Sequence, residues 1–337
     1  MVKRNVRLSS PEIGGLWGVY IQETMSTCLL KYFLHHVQDE EIKPILQKSL
    51  HISQTHLNQI RDIFSEENIP LPDGFTDKDI NLSAPPLFYD LFALSFVYSM
   101  NRMSMVNLGF ATSTVARADV LNFFTRALNE AAELYAEATT LMLSKGIYDR
   151  PPMITYPEKV EYVKKQSYIV SAMGKKRSLN AVELTEIFFN IERNYFSVLL
   201  CTGLLQVIKD KEIKNYIKDG MEISEKQINF FNDLLKKEEL LGTVPVSMEV
   251  TTSTVSPFSD KLIVALFHFL NSIDVTLIGH ALSLSMRIDL ATYYSKVIGE
   301  ILIYAEKGFN IMVNRQWLEQ PPQAPNRKAL KGRGKIR

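Results

Sequence analysis

The chain has 337 residues, with 38 lysines and arginines against 37 acids, 46% hydrophobic residues and two cysteines. That apolar content supports packed cores and excludes a disordered chain, and a net charge of +1 gives no general basis for holding nucleic acid or an anionic membrane. Cys28 and Cys201 are too few for a disulfide scaffold and lack metal-knuckle spacing, so a reducing, cytoplasmic setting is expected.

Met1 to Ser10 is basic but lacks the apolar run of a signal peptide. Ile13, Leu16, Tyr20, Leu30, Leu34 and Val37 then follow the spacing of one helical face. The acidic turn Asp39 to Pro44 leads into a second helix reaching about Phe64, with Pro44 in its first turn. Residues 66–86, with Pro70, Pro72 and an Asp73-Gly74 turn, read as loop. Two further helices follow, about Leu87 to Ala116 and Asp119 to Ser144, with Gly146 as a stop. Two short turns around one long connection is the layout of a four-helix bundle with a crossover; an all-antiparallel bundle is the alternative, although about twenty residues is far more loop than adjacent helix ends need.

The rest of the chain repeats this pattern. Shifted by 171, Leu8 to Phe64 falls on Leu179 to Leu235, and Asp39, Glu41, Ile42 and Lys43 meet Asp210, Glu212, Ile213 and Lys214. Shifted by 170, Asp90 to Pro152 falls on Asp260 to Pro322, with Asn101, Gly109, Arg117, Asp119 and Glu130 on Asn271, Gly279, Arg287, Asp289 and Glu300. The organisation expected is a first bundle over 8–153, a linker over 154–178 whose run Glu158 to Lys165 is a candidate short helix, a second bundle over 179–322, and a basic disordered tail over 323–337. Removing the six cations of that tail leaves a body of about −5. The tail is either a solubilising end or a contact to nucleic acid or an anionic surface. The greasiest windows, Tyr195 to Ile208 and Leu262 to Leu270, fall short of the roughly 20 residues that cross a bilayer, so no transmembrane segment is expected.

Glu12 to Asp39, the loop Gly74 to Asp79, the run Lys145 to Pro152 and the run Val255 to Leu262 resemble the tandem-domain family of endospore-forming bacteria catalogued as domain of unknown function 3231. The resemblance implies an all-α fold of two tandem ferritin-like four-helix bundles. It implies no activity.

Polar residues on apolar stripes supply the candidate site. Glu23 interrupts the inward series of the first helix, His56 that of the second, Asn101 that of the third and Glu130 that of the fourth. At 1.5 Å per residue, Glu23 and His56 both lie about 24 Å below the first turn and Glu130 about 22 Å below it. Buried carboxylates are costly unless paired or metal-bound. A ferritin-type di-iron site takes a Glu from each of two helices and Glu-x-x-His from each of the others. Here Ser53 stands where one Glu should be, Glu133 replaces one His, and Asn101 replaces an acid. One Fe, Mn or Zn ion on Glu23, His56, Glu130 and Glu133 is one reading. A buried polar network and a small-molecule pocket are the others, and the second copy, with Asn194, Gln227, Asn271 and Glu300, favours the network.

In Ser113-x-x-x-Arg117-x-Asp119 and its repeat, each Asp is expected to cap a helix and each Arg to reach across the turn. No phosphate-binding Gly loop or nucleophile triad is present in the sequence, and Cys28 has no His signature beside it. Three functions remain: a non-enzymatic structural or interaction protein, in the cytoplasm or associated with the spore; a metal-binding protein, which as an enzyme would be a metal-dependent oxidoreductase; and a small-ligand carrier. The partner expected is an unidentified protein or a second copy of the chain.

Overall fold

In the computed structural model of the chain, residues 6–169, 177–242 and 249–333 are described. The first copy is built from α1 (Ser10–His36), α2 (Ile42–Glu66), α3 (Asp90–Thr114) and α4 (Ala118–Ser144). The second comprises α5 (Ala181–Val207), α6 (Lys211–Lys237), α7 (Asp260–Leu284) and α8 (Ile288–Asn314). A short α9 (Arg327–Arg333) follows. Among the described residues, extended pairing is confined to two isolated bridges. The fold is all-α, two tandem four-helix bundles.

Each bundle is closed by charge at both ends, and these contacts fix the direction of every helix. At the upper end, the Asp90 carboxylate at the start of α3 accepts from Gln38 N (2.9 Å) and Asp39 N (2.8 Å) in the α1–α2 turn. Lys145, just past α4, pairs with Asp39 and Glu41, each at 2.8 Å. The long connection after α2 therefore climbs the full height of the bundle before α3 begins, which is the crossover read from the sequence. At the lower end, Glu12 accepts from Ser9 N and Oγ (both 2.7 Å) and from Ala116 N (3.2 Å) and Arg117 N (2.7 Å). Burial pushes the Glu12 carboxyl up, but the donors from Ser9, Arg117 and Ala116 outweigh it and hold the pKa at about 2.

The second copy repeats the arrangement. Glu183 accepts from Met286 N and Arg287 N, and Arg315 stands where Lys145 does, on Asp210 and Glu212. Arg117 and Arg287 occupy the N-cap positions of α4 and α8, and Asp119 and Asp289 lie in the first turns. The expected capping role of each Asp is thus corrected. The Asp instead binds the guanidinium of the Arg, which also reaches Glu67 or Glu238 at the end of the preceding hairpin.

The two crossover segments pair with each other. Asn81 N donates to Pro257 O (2.8 Å) and Ser259 N to Asp79 O (2.9 Å). Tyr89 N donates to Glu249 O (3.0 Å) and Thr251 N to Leu87 O (2.9 Å). Behind them Phe92 stacks between Phe88 (centroids 4.0 Å apart) and Phe196 (5.3 Å), so one apolar core runs through both copies. The chain is an internal pseudo-dimer.

This placement explains α7. Its length and hydropathy (mean 1.8 over the best window) suffice to cross a bilayer, against the expectation from shorter windows, yet 61% of that window is buried within the fold. α7 is apolar because it faces its own bundle on one side and the other copy on the opposite side.

Two expectations between and beyond the bundles change. Residues 158–165 are irregular rather than helical, with a single 3-10 turn at Gln166–Tyr168, and 170–176 lie outside the described residues. The tail expected to be disordered contains α9, started by the Asn326 side chain, which accepts from Ala329 N (3.0 Å). Residues 334–337 lie outside the described residues.

A Cβ added at Gly203 on α5 would lie 2.6 Å from the Phe88 ring across the interface between copies. Gly203→Val is expected to destabilise the protein by about 1–3 kcal/mol through forced repacking. Urea unfolding followed by circular dichroism measures this, and an unchanged midpoint contradicts the tight approach.

Candidate functional site

The structure brings together three of the four residues assigned to a metal site. Glu23 on α1, His56 on α2 and Glu130 on α4 share one layer because equal climbs from the two ends of antiparallel helices place them at one height. Glu23 Oε1 lies 2.6 Å from His56 Nδ1, and Glu130 Oε2 lies 2.7 Å from His56 Nε2. The imidazole is 3% exposed, while the two carboxylates are half-buried at 18% and 24%. Phe123 covers the ring edge-on at 5.3 Å. Asn101 turns its amide onto Val97 O of its own helix.

With a carboxylate at each ring nitrogen, the imidazole satisfies both by donating twice, which requires the protonated form. Burial alone pushes the His56 pKa down. The hydrogen bonds and negative charge of Glu23 and Glu130 overcome that, and the net shift is upward. The cluster is a carboxylate–imidazolium–carboxylate bridge tying α1, α2 and α4. Arg126 sits 3.8 Å from the far oxygen of Glu130.

Glu133 does not join them; it is exposed and pairs with Lys48 at 3.6 Å. An Fe, Mn or Zn ion needs several donors converging on one point. Among the described residues no group of three or more His, Cys, Asp or Glu side chains is so arranged. Glu23 and Glu130 lie against opposite edges of the ring, so whichever nitrogen bound an ion would keep only one carboxylate beside it. In this arrangement the donor set does not fit a metal.

In the second copy the equivalent layer is built from amides and phenols. Asn194 Nδ2 donates to Gln227 Oε1 (3.3 Å), and Asn271 Nδ2 donates to the Tyr216 hydroxyl (3.2 Å), with Tyr216 stacked on Tyr304. Glu300, expected in that layer, instead faces Lys296 at 3.6 Å near the surface.

Other reactive groups are quiet. Both cysteines are buried free thiols, pushed up to about 12 mainly by desolvation, and Cys28 donates to Thr76 O. Neither offers a thiolate near neutral pH. His268 is pushed down by burial, and the exposed His280 lies 3.4 Å from Glu186.

The surroundings of Glu23 are not legible from one copy's apolar stripes. Glu23 lines a cleft bounded by α1 and α3 of the first bundle and α7 of the second, with Gly14, Gly18, Gln22 and Ser104 among the walls. Comparing the copies position by position carries that signal, since Gly18, Gln22 and Ser104 align with Phe189, Arg193 and Asp274.

Comparison with known proteins agrees with the duplication. No curated protein matches the chain. A crystal structure from Bacillus halodurans, provisionally described as a spore coat protein, is 18% identical and aligns with a TM-score of 0.41, covering 45% of this chain and 99% of that one. The model of a family described as protein of unknown function, DUF3231, matches residues 1–160 and again residues 167–330, and the chain belongs to that family as a tandem pair.

Proposed function

We propose that the chain is a non-catalytic structural or interaction protein, a pseudo-dimer of bundles whose mid-height polar layers fix helix register. One observation carries this reading: both ring nitrogens of His56 are engaged by carboxylates, so the ring has no lone pair to offer a metal or a substrate. The amide layer of the second copy supports it, because hydrogen bonds alone serve there. Two buried thiols suit a reducing cytoplasm. Association with the spore belongs to the same proposal and is tested by immunoblotting coat extracts of host spores, where absence from every spore fraction removes it.

Untagged protein from cells grown with added iron, manganese and zinc is expected to hold less than about a tenth of an equivalent of any of them, by mass spectrometry of the digested sample. Near-stoichiometric metal lost in Glu23→Ala and in His56→Ala revives the ferritin-type reading and overturns this one.

The imidazolium also makes stability depend on pH in a fixed direction. The folded-state pKa of His56 lies above its ordinary value of 6.5. Its stabilisation is therefore fully present below the unfolded value and is lost as pH rises through the higher folded value. His56→Gln is expected to cost about 1–3 kcal/mol near pH 6, and its gap to the parent protein to shrink towards pH 9. Urea midpoints of both proteins across that range measure it, and a gap that widens with pH contradicts the charged bridge.

A further inference from the structure

The cleft beside Glu23 has a volume of about 360 Å³. That falls within the range of small-molecule sites, roughly 300–1,000 Å³. It exists because α1 carries no side chain where the wall would stand. A Cβ at Gly14 or Gly18 would meet nothing within 4 Å. Met25, Leu29, Phe96, Met100 and Phe269 give it an apolar floor. Glu23, Ser26 and Ser104 also border a smaller void of about 60 Å³ that reaches His56.

The duplication supplies an internal control. The positions related to this cleft by the pseudo-symmetry place Phe189 for Gly18, Arg193 for Gln22, Asp274 for Ser104 and Arg102 for Ser272. There the Arg102 guanidinium lies 3.7 Å over the Phe189 ring and pairs with Glu192, while Arg193 pairs with Asp274. The same backbone thus accepts a plugged cleft with its charges internally matched. An open one is a property of these side chains rather than a demand of the fold.

Charge selects the occupant. Glu23 is the sole formally charged residue of the lining, which contains no Lys, Arg or His. The His56 imidazolium engages its Oε1, but one cation between two carboxylates leaves the bridge net negative, and Oε2 remains to accept from a donor in the cleft. Gln22, Ser26, Ser104 and Asn107 add neutral hydrogen-bonding groups, whereas nothing there would balance a ligand anion. We propose that this cleft binds a small organic cation, an amine on an apolar body, with the ammonium on Glu23 and the body over the Met and Phe side chains. The proposal goes beyond the structural reading and does not depend on it.

Isothermal titration of the full-length protein with phenethylamine and hexylamine, each beside the matching alcohol and carboxylate, tests it. Saturable binding of the amines is expected, with the carboxylates weaker by about tenfold or more. Gly18→Phe, which installs the residue of the plugged cleft, is expected to weaken amine binding by a similar factor while the unfolding transition is kept. If that variant does not fold, Gln22→Arg with Ser104→Asp copies the other plug. Glu23→Gln is expected to erase the preference for amine over alcohol while leaving the alcohol bound. Absence of saturable binding by either amine, equal binding of the carboxylates, or undiminished binding in a folded plugged variant overturns the proposal.

Discussion

A crossover connection creates a backbone problem that the rest of this structure is arranged to solve. A segment running the height of a bundle outside regular secondary structure carries amides and carbonyls that need partners wherever water is excluded. Here each crossover lends its main chain to the other, through the bonds joining Asp79 and Asn81 to Pro257 and Ser259, and Leu87 and Tyr89 to Glu249 and Thr251. That mutual pairing decides which faces of the bundles meet. It brings Phe88 and Phe92 onto Phe196 and makes α7 apolar on two sides. Fusion of the two copies in one chain keeps both partners of the pairing at fixed stoichiometry.

The ends and the middle of the bundles obey different constraints. At the ends, both copies use the same devices: a glutamate at the start of the first helix receiving two amides from the last turn, and an arginine bridging an acid in the next helix to an acid at the end of the second. These satisfy helix-terminal groups that every copy of the fold must satisfy. The middle has no such obligation. One copy builds its polar layer from an imidazolium between two carboxylates and the other from amides and tyrosine hydroxyls. Either set ties the facing helices together across the layer, although the amide set leaves Gln227 Nε2 without a partner among the described residues, so the layer is free to differ.

This division also explains what the sequence made legible. Helical periodicity and the repeat gave the bundles, and residue counting from the turns placed Glu23, His56 and Glu130 at one height, because rise per residue is nearly constant. Finer assignments failed where side-chain direction mattered. Glu133 lies one turn beyond Glu130 yet turns out to Lys48, and Glu300 turns out to Lys296. Asp119 resembled a cap because turn and first turn are adjacent in sequence, whereas the cap position belongs to Arg117. The cleft was invisible for another reason. Periodicity assigns a helix one inward face, and Gly14, Gly18 and Gln22 lie on a second face that matters only once α7 of the other copy is placed against it.

A fused pseudo-dimer can divide between its halves what a symmetric dimer must do twice. An open cleft forgoes the dispersion contacts and buried area that side chains would supply there. In a homodimer a substitution that opens one cleft opens both, and the loss is doubled. After duplication the two positions mutate independently, so Phe189 under Arg102 and Arg193 against Asp274 can keep one side filled and bonded while Gly18, Gln22 and Ser104 leave the other open. The filled side also works for the open one, because Leu266 and Phe269 of the second bundle form one wall of the first bundle's cleft. A rigid neighbour holds a cavity against collapse, and the cost of an unfilled space depends on how far its walls can relax inward. The asymmetry of the two halves is in this sense a single arrangement, in which the bundle whose own cleft is filled supplies a wall of the one left open.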